Sequence, residues 1–578
     1  MLISQVDIKN YRCFDSFTVK LNQLTIIIGE NNSGKTNFIK ALSLPLSSGS
    51  LDFSQKRLSI SDFNNASVIE FLECAYDYFR LGSNEKLQED NVAKILELFP
   101  VVEVTLEFSD PKNNYEKALI SSFLDEDGCN PVFRISYSFY PKDEIEFLGR
   151  VEELVLSVSD KKELKWNLLP IDNYEYDIKT TANNKSVSIS KLKNILINII
   201  GAERDDFSDS QTMKSNSLLT RLLISELNGD EKKTINSAYS DFFNEVENAG
   251  FFQRMLNSDH SFDNIKEHLK ELGCVPNLPN LKNILSNITL SYGSEFLYQK
   301  GLGERNLVYI FLFFAYFKKN NKEFNLCCVE EPEAHLGVNK LRSVTDFIEK
   351  STSEVNSLLQ TIVTSHSPSI INKLKISNVV AFSGNKAVSL SEFGSDLNDY
   401  LRKRPNFDIL RLLYADKLIL VEGPSEEMLI RSHLYLDNNN LNDIEIISVG
   451  QKGYRKFLDI WLLINKDNYN KKIGVIRDFD NQPNAQSEHE KYTYKHPNIK
   501  IETTMLYTLE DDLVNHGSNI DTISDYFCLD RDDSIVSTFL KSDKTGGMLA
   551  LCDAMTNKDK QLKIKLPPHI ERVLEELK

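Results

Sequence analysis

The stretch "LTIIIGENNSGKTNFIKAL" (24–42) decides the fold of the N-terminal half of the chain. It begins with a continuous apolar run, which is typical of a strand covered on both faces of a parallel sheet. The next eight residues, "GENNSGKT" (29–36), match the pattern G-x-x-x-x-G-K-[ST] and open a helix. Strand, glycine-rich loop and helix in this order predict a phosphate-binding loop, because backbone N–H groups at a helix start attract anions.

The loop supplies a defined set of nucleotide contacts, which we assign to Gly29, Asn32, Gly34, Lys35 and Thr36. The glycines let backbone N–H groups close on the phosphates. Lys35 is expected to reach the β- and γ-phosphates, and Thr36 to hold Mg²⁺. The sequence therefore predicts an ATP site with a magnesium ion.

Two later strand ends carry residues that suit the same site. "NLCCVEEPEAHL" (325–336) ends an apolar strand in Glu330 and Glu331. The first acid is expected near Mg²⁺ and the second beside the attacking water, although an ordinary acidic strand end is the alternative. "IVTSHSP" places His366 after another apolar strand, as a γ-phosphate sensor or as an ordinary surface histidine.

A fourth segment, "KGLGERN" (300–306), opens a long apolar helix whose N–H groups could meet an anion. Together, these segments resemble the ABC-type ATPases of the SMC, RecF and OLD group. The resemblance implies head-to-head dimers in which Gly303 and its neighbours complete the nucleotide site of the other subunit. The chain departs from the common pattern at Glu330, where many members have Asp, and in having "GLGER" for a clear LSGG.

Composition limits the classes of function. The chain has 578 residues and a net charge of −17, from 67 basic and 84 acidic residues. This excludes a uniformly basic nucleic-acid surface, so DNA would need a local basic surface or bound cations. The eight cysteines form no CxxC motif, which favours a reduced, cytoplasmic compartment. The apolar stretch at 307–317 is about half a membrane span, so we expect a buried helix and no membrane association.

The pattern along the chain predicts an α/β protein of two domains. An ATPase domain is expected over residues 1–400, with β-structure at 100–108, 132–141 and 144–158. Amphipathic helices at about 205–285 predict an inserted dimerisation region. A polar segment at 398–408 separates this domain from a second one at 405–578, with an α/β core at about 415–515 and a helical part at 516–578.

The second domain carries acids at two strand ends. In "KLILVEGPSEEMLI" (417–430), Glu422 ends a strand and Glu426 lies in the first turn of the next helix. In "GVIRDFD" (474–480), an apolar strand runs into Asp478 and Asp480, which would share one side if the chain stayed extended. Strand ends of a parallel sheet share one edge, and grouped carboxylates favour a divalent cation.

A strand-end Glu followed by a DxD motif resembles the TOPRIM fold of topoisomerases, primases and OLD nucleases. The resemblance implies that these four acids bind Mg²⁺ or Mn²⁺ and that Glu422, Asp478 and Asp480 act in catalysis. OLD nucleases also have a later acid that completes a second metal site, which maps onto Glu510 or Asp511. They use a late lysine near the scissile phosphate, for which Lys541 is preferred and Lys544 is second.

The whole chain, ATPase first and TOPRIM last, resembles OLD-family nucleases, in particular the nuclease subunits of Gabija anti-phage defence systems. The resemblance implies a double-stranded DNA endonuclease that forms a dimer or tetramer, works with a UvrD-like helicase partner, and is gated by ATP. The alternative is a RecF- or SMC-like DNA-repair ATPase in which the TOPRIM unit is a non-catalytic scaffold.

Overall fold

A computed structural model describes most of the chain, in two compact units. Unit 1 comprises Met1–Ile27 and Gly34–Leu374, and unit 2 comprises Ile28–Ser33 and Lys375–Lys578. The described residues are 1–48, 56–81, 89–125, 131–201, 218–248, 250, 254, 280–286, 288–319, 324–353, 359–392, 403, 407–436, 443–450, 454–480, 487, 491–542, 544–557 and 562–578. The domain boundary predicted at 400–405 lies mostly outside these residues and stays a prediction.

Unit 1 contains thirteen of the strands that the structure describes and twelve of the α-helices. The strands are β1 (Leu2–Tyr11), β2 (Phe14–Lys20), β3 (Leu24–Gly29), β4 (Ser47–Ser48), β5 (Val102–Ser109), β6 (Leu124–Asp125), β7 (Val132–Pro141), β8 (Tyr174–Thr180), β9 (Ile195–Ile200), β10 (Ser291–Tyr292), β11 (Glu295–Phe296), β12 (Phe324–Glu330) and β13 (Leu359–Thr364). The helices are α1 (Lys35–Leu42), α2 (Asn65–Phe79), α3 (Glu89–Glu97), α4 (Asn114–Ile120), α5 (Glu144–Ser157), α6 (Ile189–Leu192), α7 (Leu218–Glu226), α8 (Gly229–Asn248), α9 (Leu281–Leu285), α10 (Leu302–Lys319), α11 (Val338–Ser353) and α12 (Pro368–Lys373). The last two residues of β3 belong to unit 2.

Two sheets organise unit 1. The first is antiparallel, in the order β2-β1-β5-β7-β6, with β8 paired to β7. The second is parallel, with β3, β13, β12, β9 and β4 side by side in that order. Gln360 in β13 joins the two sheets, because its side chain accepts from Ile3 N–H at 3.0 Å and donates to Ile3 C=O at 2.9 Å. Strands β3, β12 and β13 are the apolar runs predicted from sequence.

The β-structure predicted at 144–158 is wrong. These residues form α5, whose N-cap Asp143 accepts hydrogen bonds from the N–H groups of Ile145 and Glu146, both at 3.0 Å. Phe147, Val151 and Val155 are the buried positions of the helix. Their four-residue spacing is helical, and it outweighs the β propensity of the individual valines.

Unit 2 contains six further strands and eight α-helices among the described residues. The strands are β14 (Val379–Ser383), β15 (Lys386–Ser389), β16 (Lys417–Val421), β17 (Ile444–Ser448), β18 (Lys472–Arg477) and β19 (Ile499–Thr503). The helices are α13 (Ile409–Tyr414), α14 (Pro424–Leu436), α15 (Tyr454–Asn465), α16 (Leu509–Val514), α17 (Asn519–Phe527), α18 (Asp533–Ser542), α19 (Lys544–Thr556) and α20 (Pro568–Leu577).

The last four strands form a parallel sheet in the order β17-β16-β18-β19. Strand β17 lies on one side of β16, and the chain then crosses over to place β18 and β19 on the other side. Between β16 and β18 the strand order therefore reverses, and in open α/β sheets ligand sites form at the carboxyl edge beside such a reversal. The C-terminal helix α20 covers β18 closely, because a Cβ atom at Gly474 would overlap the side chain of Val573.

The predicted helical insertion is described only in part. Helices α7, α8 and α9 fall within about 205–285, and the remainder of that segment lies outside the described residues. Its dimerisation role stays a prediction. The apolar stretch at 307–317 belongs to α10. No helix within the described residues has the length and apolar content needed to cross a membrane.

Candidate functional site

The edge of the unit 2 sheet brings two predicted acids together. Glu422 is the first residue after β16, and Asp478 is the first residue after β18. The N–H of Asp478 donates a hydrogen bond to Glu422 Oε1 at 3.2 Å. Adjacent parallel strands hold these two loops side by side, so residues that are distant in sequence become neighbours.

Two further acids act on Glu422 through their charge. Burial is the main reason why the pKa of Glu422 is raised to about 7, and the carboxylates of Glu426 and Asp480 raise it further. Glu426 is buried in the first turn of α14, where its Oε2 accepts from Gly423 N–H at 3.1 Å. Glu422, Glu426 and Asp480 therefore interact through their charges, and Asp478 joins them through its backbone N–H.

Arg477 counters this negative charge, a role that we did not predict from sequence. Its side chain is buried, and its Nε donates to the C=O of Asp478 at 3.0 Å. Burial lowers the pKa of the Arg477 guanidinium, while Glu422, Asp480 and Asp478 raise it. A cation directly before the DxD motif was the available sequence signal.

The DxD segment is not the extended chain that the sequence suggested. Strand β18 ends at Arg477, and Asp480 has a left-handed backbone with φ of 47°. Asp478 Oδ1 accepts from Leu509 N–H at 2.8 Å, and Asp480 N–H donates to the C=O of Tyr507 at 3.2 Å. The segment is thus tied to the residues that follow β19, and strand geometry does not decide which way its two aspartates face.

The later candidates form an ion pair. Asp511 lies in the first turn of α16, and Lys541 Nζ donates to its Oδ1 at 2.6 Å. Burial alone would raise the pKa of Asp511, but Lys541 and the hydroxyl of Ser537 outweigh it and lower the pKa. Glu510 is buried in the same turn. The side chain of Lys544 lies outside the described part of the chain.

The donor set suits a hard divalent cation, although its side chains are not yet arranged around one. Within the part of the chain that the structure describes, no three His, Cys, Asp or Glu side chains stand close enough to hold a metal ion. Glu422 nevertheless lies in the repulsive field of Glu426 and Asp480, and a cation would relieve this repulsion. Metal binding would therefore require these side chains to turn toward the ion.

The end of the phosphate loop lies in unit 1, where Gly34 leads into α1. This residue has φ of +93°, and a Cβ atom there would lie 2.7 Å from both Cys13 Sγ and Phe14 Cζ. Lys35 is buried; desolvation lowers its pKa, and Glu331 raises it. Position 34 therefore requires glycine, because a Cβ atom would clash with Cys13 and Phe14 and because the backbone has a positive φ.

The acid motif and the histidine lie beside Lys35 in the same unit. Glu330 is the last residue of β12, and Glu331 N–H donates to the C=O of Thr364 at 2.9 Å. His366 Nε2 lies 4.0 Å from Glu331 Oε1. Desolvation, followed by the charge of Lys35, lowers the pKa of His366. Lys35, Glu331 and His366, which were predicted to share one site, are therefore close in space. Their roles in nucleotide binding stay predictions.

Glu333 is a residue of this site that the sequence reasoning missed. Its Oε1 accepts from Ser365 Oγ at 2.9 Å and from His366 N–H at 2.7 Å. Burial raises the pKa of Glu333. The side chain therefore links the loop after β12 to the loop after β13 and fixes the backbone of His366.

The "GLGER" segment approaches the acid motif of its own chain. A Cβ atom at Gly303 would lie 2.5 Å from the C=O oxygen of His335, so only glycine fits without a shift. Asn306 Nδ2 donates to the C=O of Ala334 at 2.9 Å. The predicted contribution of Gly303 to the nucleotide site of another subunit stays a prediction.

Comparison with known families identifies the class. The family described as "AAA ATPase domain" matches residues 1–371, and "Overcoming lysogenization defect protein-like, TOPRIM domain" matches residues 413–480. The chain belongs to the AAA ATPase domain family, and its C-terminal half carries an OLD-like TOPRIM domain. The predicted α/β fold, with an ATPase domain followed by a TOPRIM domain, is confirmed, and its assignment to the ABC/SMC type stays a prediction.

The chain is also similar to particular proteins. It is 23% identical over 490 residues to Endonuclease GajA of Bacillus cereus strain HuB5-5, covering 74% of this chain and 66% of the relative. It is 22% identical over 452 residues to Endonuclease GajA of strain VD045, covering 75% of this chain and 68% of the relative. The chain thus spans about two thirds of these relatives, and the resemblance predicted from sequence is confirmed.

Solved structures with partial similarity include two SMC heads. The SMC head bound to the C-winged helix domain of ScpA is 17% identical, with a TM-score of 0.33, and covers 67% of this chain and 96% of its own. The SMC head domain from Thermotoga maritima is 11% identical, with a TM-score of 0.28, covering 67% and 98%. Stu0660 of Streptococcus thermophilus is 10% identical, with a TM-score of 0.31, covering 76% and 81%.

The repulsion around Glu422 predicts a stability change that needs no activity assay. In EDTA and at a pH well above the Glu422 pKa of about 7, Glu422→Gln should raise the melting temperature by about 2–4 °C per kcal/mol gained, because the buried and repelled charge is removed. Wild-type protein should gain melting temperature on addition of Mn²⁺ or Mg²⁺, whereas the variant should gain much less. Thermal unfolding with and without the metal measures both effects. An equal metal-induced gain in the two proteins would contradict a cation site at Glu422.

Proposed function

We propose that this protein is a divalent-metal-dependent DNA endonuclease that nicks or cleaves phosphodiester bonds. The observation that carries the proposal is the hydrogen bond between Asp478 N–H and Glu422, which joins two strand-end acids at one edge of a parallel sheet. Glu426 and Asp480 complete the negative cluster. Carboxylates of this kind are the ligands that Mg²⁺ and Mn²⁺ prefer.

The residues have distinct proposed roles. Glu422, Glu426, Asp478 and Asp480 would hold the first ion, and Glu510 or Asp511 a second. When bound, such ions activate water and stabilise the leaving oxygen of the phosphodiester. Before DNA arrives, Arg477 offsets part of the acid charge, so that the strand ends can remain adjacent.

Lys541 is proposed to face the scissile phosphate, with Lys544 as the second choice. In the structure Lys541 is engaged by Asp511, which we interpret as the resting arrangement. A phosphate entering the site would compete with the Asp511 carboxylate for the ammonium. Lys541 could then offset the negative charge that develops as the phosphodiester bond breaks.

Nucleotide binding is proposed to gate the cleavage. The nucleotide would be ATP, held by the phosphate loop together with Glu330, Glu331 and His366. Support comes from within unit 2, where Lys471 Nζ donates to Glu30 Oε1 at 2.7 Å. Glu30 belongs to the phosphate loop, and Lys471 directly precedes β18, which leads to the DxD segment. A change in the loop could therefore be transmitted to the acid cluster through one strand.

The biological setting is proposed from the relatives, which are named Endonuclease GajA. We propose an anti-phage defence role, a double-stranded DNA substrate and a cytoplasmic location. The protein would assemble as a dimer or tetramer, with α7 to α9 contributing to the contact, and would work with a UvrD-like helicase partner.

A RecF- or SMC-like repair ATPase with a scaffold TOPRIM unit is the second candidate. The ion pair between Lys541 and Asp511 favours it, because the pair engages two residues that cleavage would need.

Plasmid nicking distinguishes the two candidates. Supercoiled plasmid is incubated with the pure protein and Mg²⁺ or Mn²⁺, and relaxed and linear products are quantified. We expect Glu422→Gln and Asp478→Asn to reduce the nicking rate by about 100-fold, because each loses the charge that would bind the ion. Each variant keeps its hydrogen-bond acceptor, so the local structure should be retained. Glu427→Gln is the matched control, since Glu427 lies in the same turn of α14 and pairs with Arg431 at 3.0 Å. Wild-type protein that never nicks DNA with either metal would favour the scaffold candidate.

If nucleotide binding gates cleavage through Glu30, a change at this residue should weaken the response of nicking to ATP without depending on how much ATP is bound. In Glu30→Gln the carboxylate that pairs with Lys471 is replaced by a neutral amide, which keeps an acceptor oxygen. We expect ATP to alter the nicking rate of wild-type protein and to have a much smaller effect on the variant, at matched nucleotide occupancy. An ATP titration with a parallel binding measurement tests this. The same ATP response in both proteins would show that the pair does not carry the signal.

A further inference from the structure

Three consecutive large side chains are exposed between β19 and α16. Met505 is 73% exposed, Leu506 43% and Tyr507 49%, whereas the flanking residues Thr504 and Thr508 are buried. Single exposed apolar residues are common on protein surfaces. A consecutive run of them is unfavourable in water and usually has a function. We call Met505–Leu506–Tyr507 the 505–507 loop.

The backbone of this loop is held in place by buried groups. Asp512 Oδ2 accepts from Met505 N–H at 2.8 Å, and Asp512 Oδ1 accepts from Leu506 N–H at 2.7 Å. Thr504 Oγ1 donates to the C=O of Leu506 at 3.0 Å. The backbone of the loop is therefore fixed by hydrogen bonds to Thr504 and Asp512, and its three side chains are exposed at a defined position.

The loop adjoins the acid cluster directly. Asp480 N–H donates to the C=O of Tyr507 at 3.2 Å. On the other side, Phe479 N–H donates to Thr504 Oγ1 at 2.8 Å. A phosphate bound at the acids would therefore bring its neighbouring nucleotides, which follow one another at about 3.4 Å per step, close to the loop.

The side chains of the loop are suited to contact with DNA bases rather than with phosphates. The segment "TMLYT" (504–508) contains no Lys or Arg that could pair with a phosphate. Methionine, leucine and tyrosine instead offer apolar and aromatic surface, which stacks on base faces or enters between base steps. The partner that fits this surface is an unstacked base of the DNA that is being cut.

We propose that the 505–507 loop contacts nucleobases beside the scissile phosphate and makes the enzyme prefer DNA whose bases are unpaired or unstacked at that point. This inference rests on the proposed nuclease function and adds a substrate class to it. Tyr507 supplies the stacking face, and Met505 fills the space beside it. Fully paired DNA binds less well because a base step must first be opened.

The test compares two fluorescein-labelled duplexes of one sequence, one fully paired and one with a short central mismatch. Binding is measured by anisotropy in Ca²⁺, and nicking in Mg²⁺. We expect the wild-type protein to bind the mismatched duplex at least about 10-fold more tightly than the paired one. The double variant Met505→Ala/Tyr507→Ala should lose that preference and bind the mismatched duplex about 10-fold less tightly.

Tyr435→Ala is the matched control, because Tyr435 is 58% exposed at the far end of α14 from Glu426. Both variants remove exposed side chains, so their melting temperatures should match that of the wild type. A double variant that keeps the mismatch preference would overturn the proposal, as would a wild-type protein with no such preference. A change in oligomer mass with unchanged DNA affinity would also overturn it, since the loop would then join copies of the chain.

Failure of this inference can be separated from failure of the nuclease proposal. Wild-type protein that neither binds nor nicks either duplex removes both proposals. Wild-type protein that nicks DNA, together with a double variant that nicks with the same rate and preference, removes only the role of the 505–507 loop.

Discussion

The contact between Asp478 N–H and Glu422 is the constraint on which the candidate active site depends. It exists because β16 and β18 are adjacent parallel strands that end at the same edge of the sheet. The pKa of Glu422 is raised to about 7, mainly by burial and further by the charges of Glu426 and Asp480. Arg477 supplies a compensating positive charge beside these acids.

The surroundings of the cluster follow from the same constraint. The residues after β19 hold the DxD segment from one side, through Tyr507 and Leu509. Asp512 in turn fixes that connection, and His569 Nδ1 lies 3.1 Å from its Oδ2. Burial would raise the pKa of Asp512, but His569 and two backbone N–H groups lower it, so the acid stays ionised. The C-terminal helix α20 thus supports the acid cluster through a chain of buried polar contacts.

The structural features that were predicted correctly are those that depend on residues contiguous in sequence. Apolar runs followed by a motif predicted the strands that lead to the phosphate loop, Glu331, Glu422 and Asp478, because an apolar strand and its loop are contiguous in sequence. The prediction failed at 144–158, where the helical spacing of the buried residues outweighs the propensity of the valines. The left-handed turn at Asp480 and the contacts of Glu333 depend on tertiary neighbours, so no local pattern could reveal them.

We propose that one cation binds between the loops after β16 and β18. The most direct measurement is anomalous X-ray scattering from crystals of the protein soaked in Mn²⁺. We expect a manganese peak bounded by the carboxylates of Glu422 and Asp478, with Glu426 and Asp480 nearby. A well-ordered sheet edge at saturating Mn²⁺, with no anomalous peak between these two residues, would contradict it.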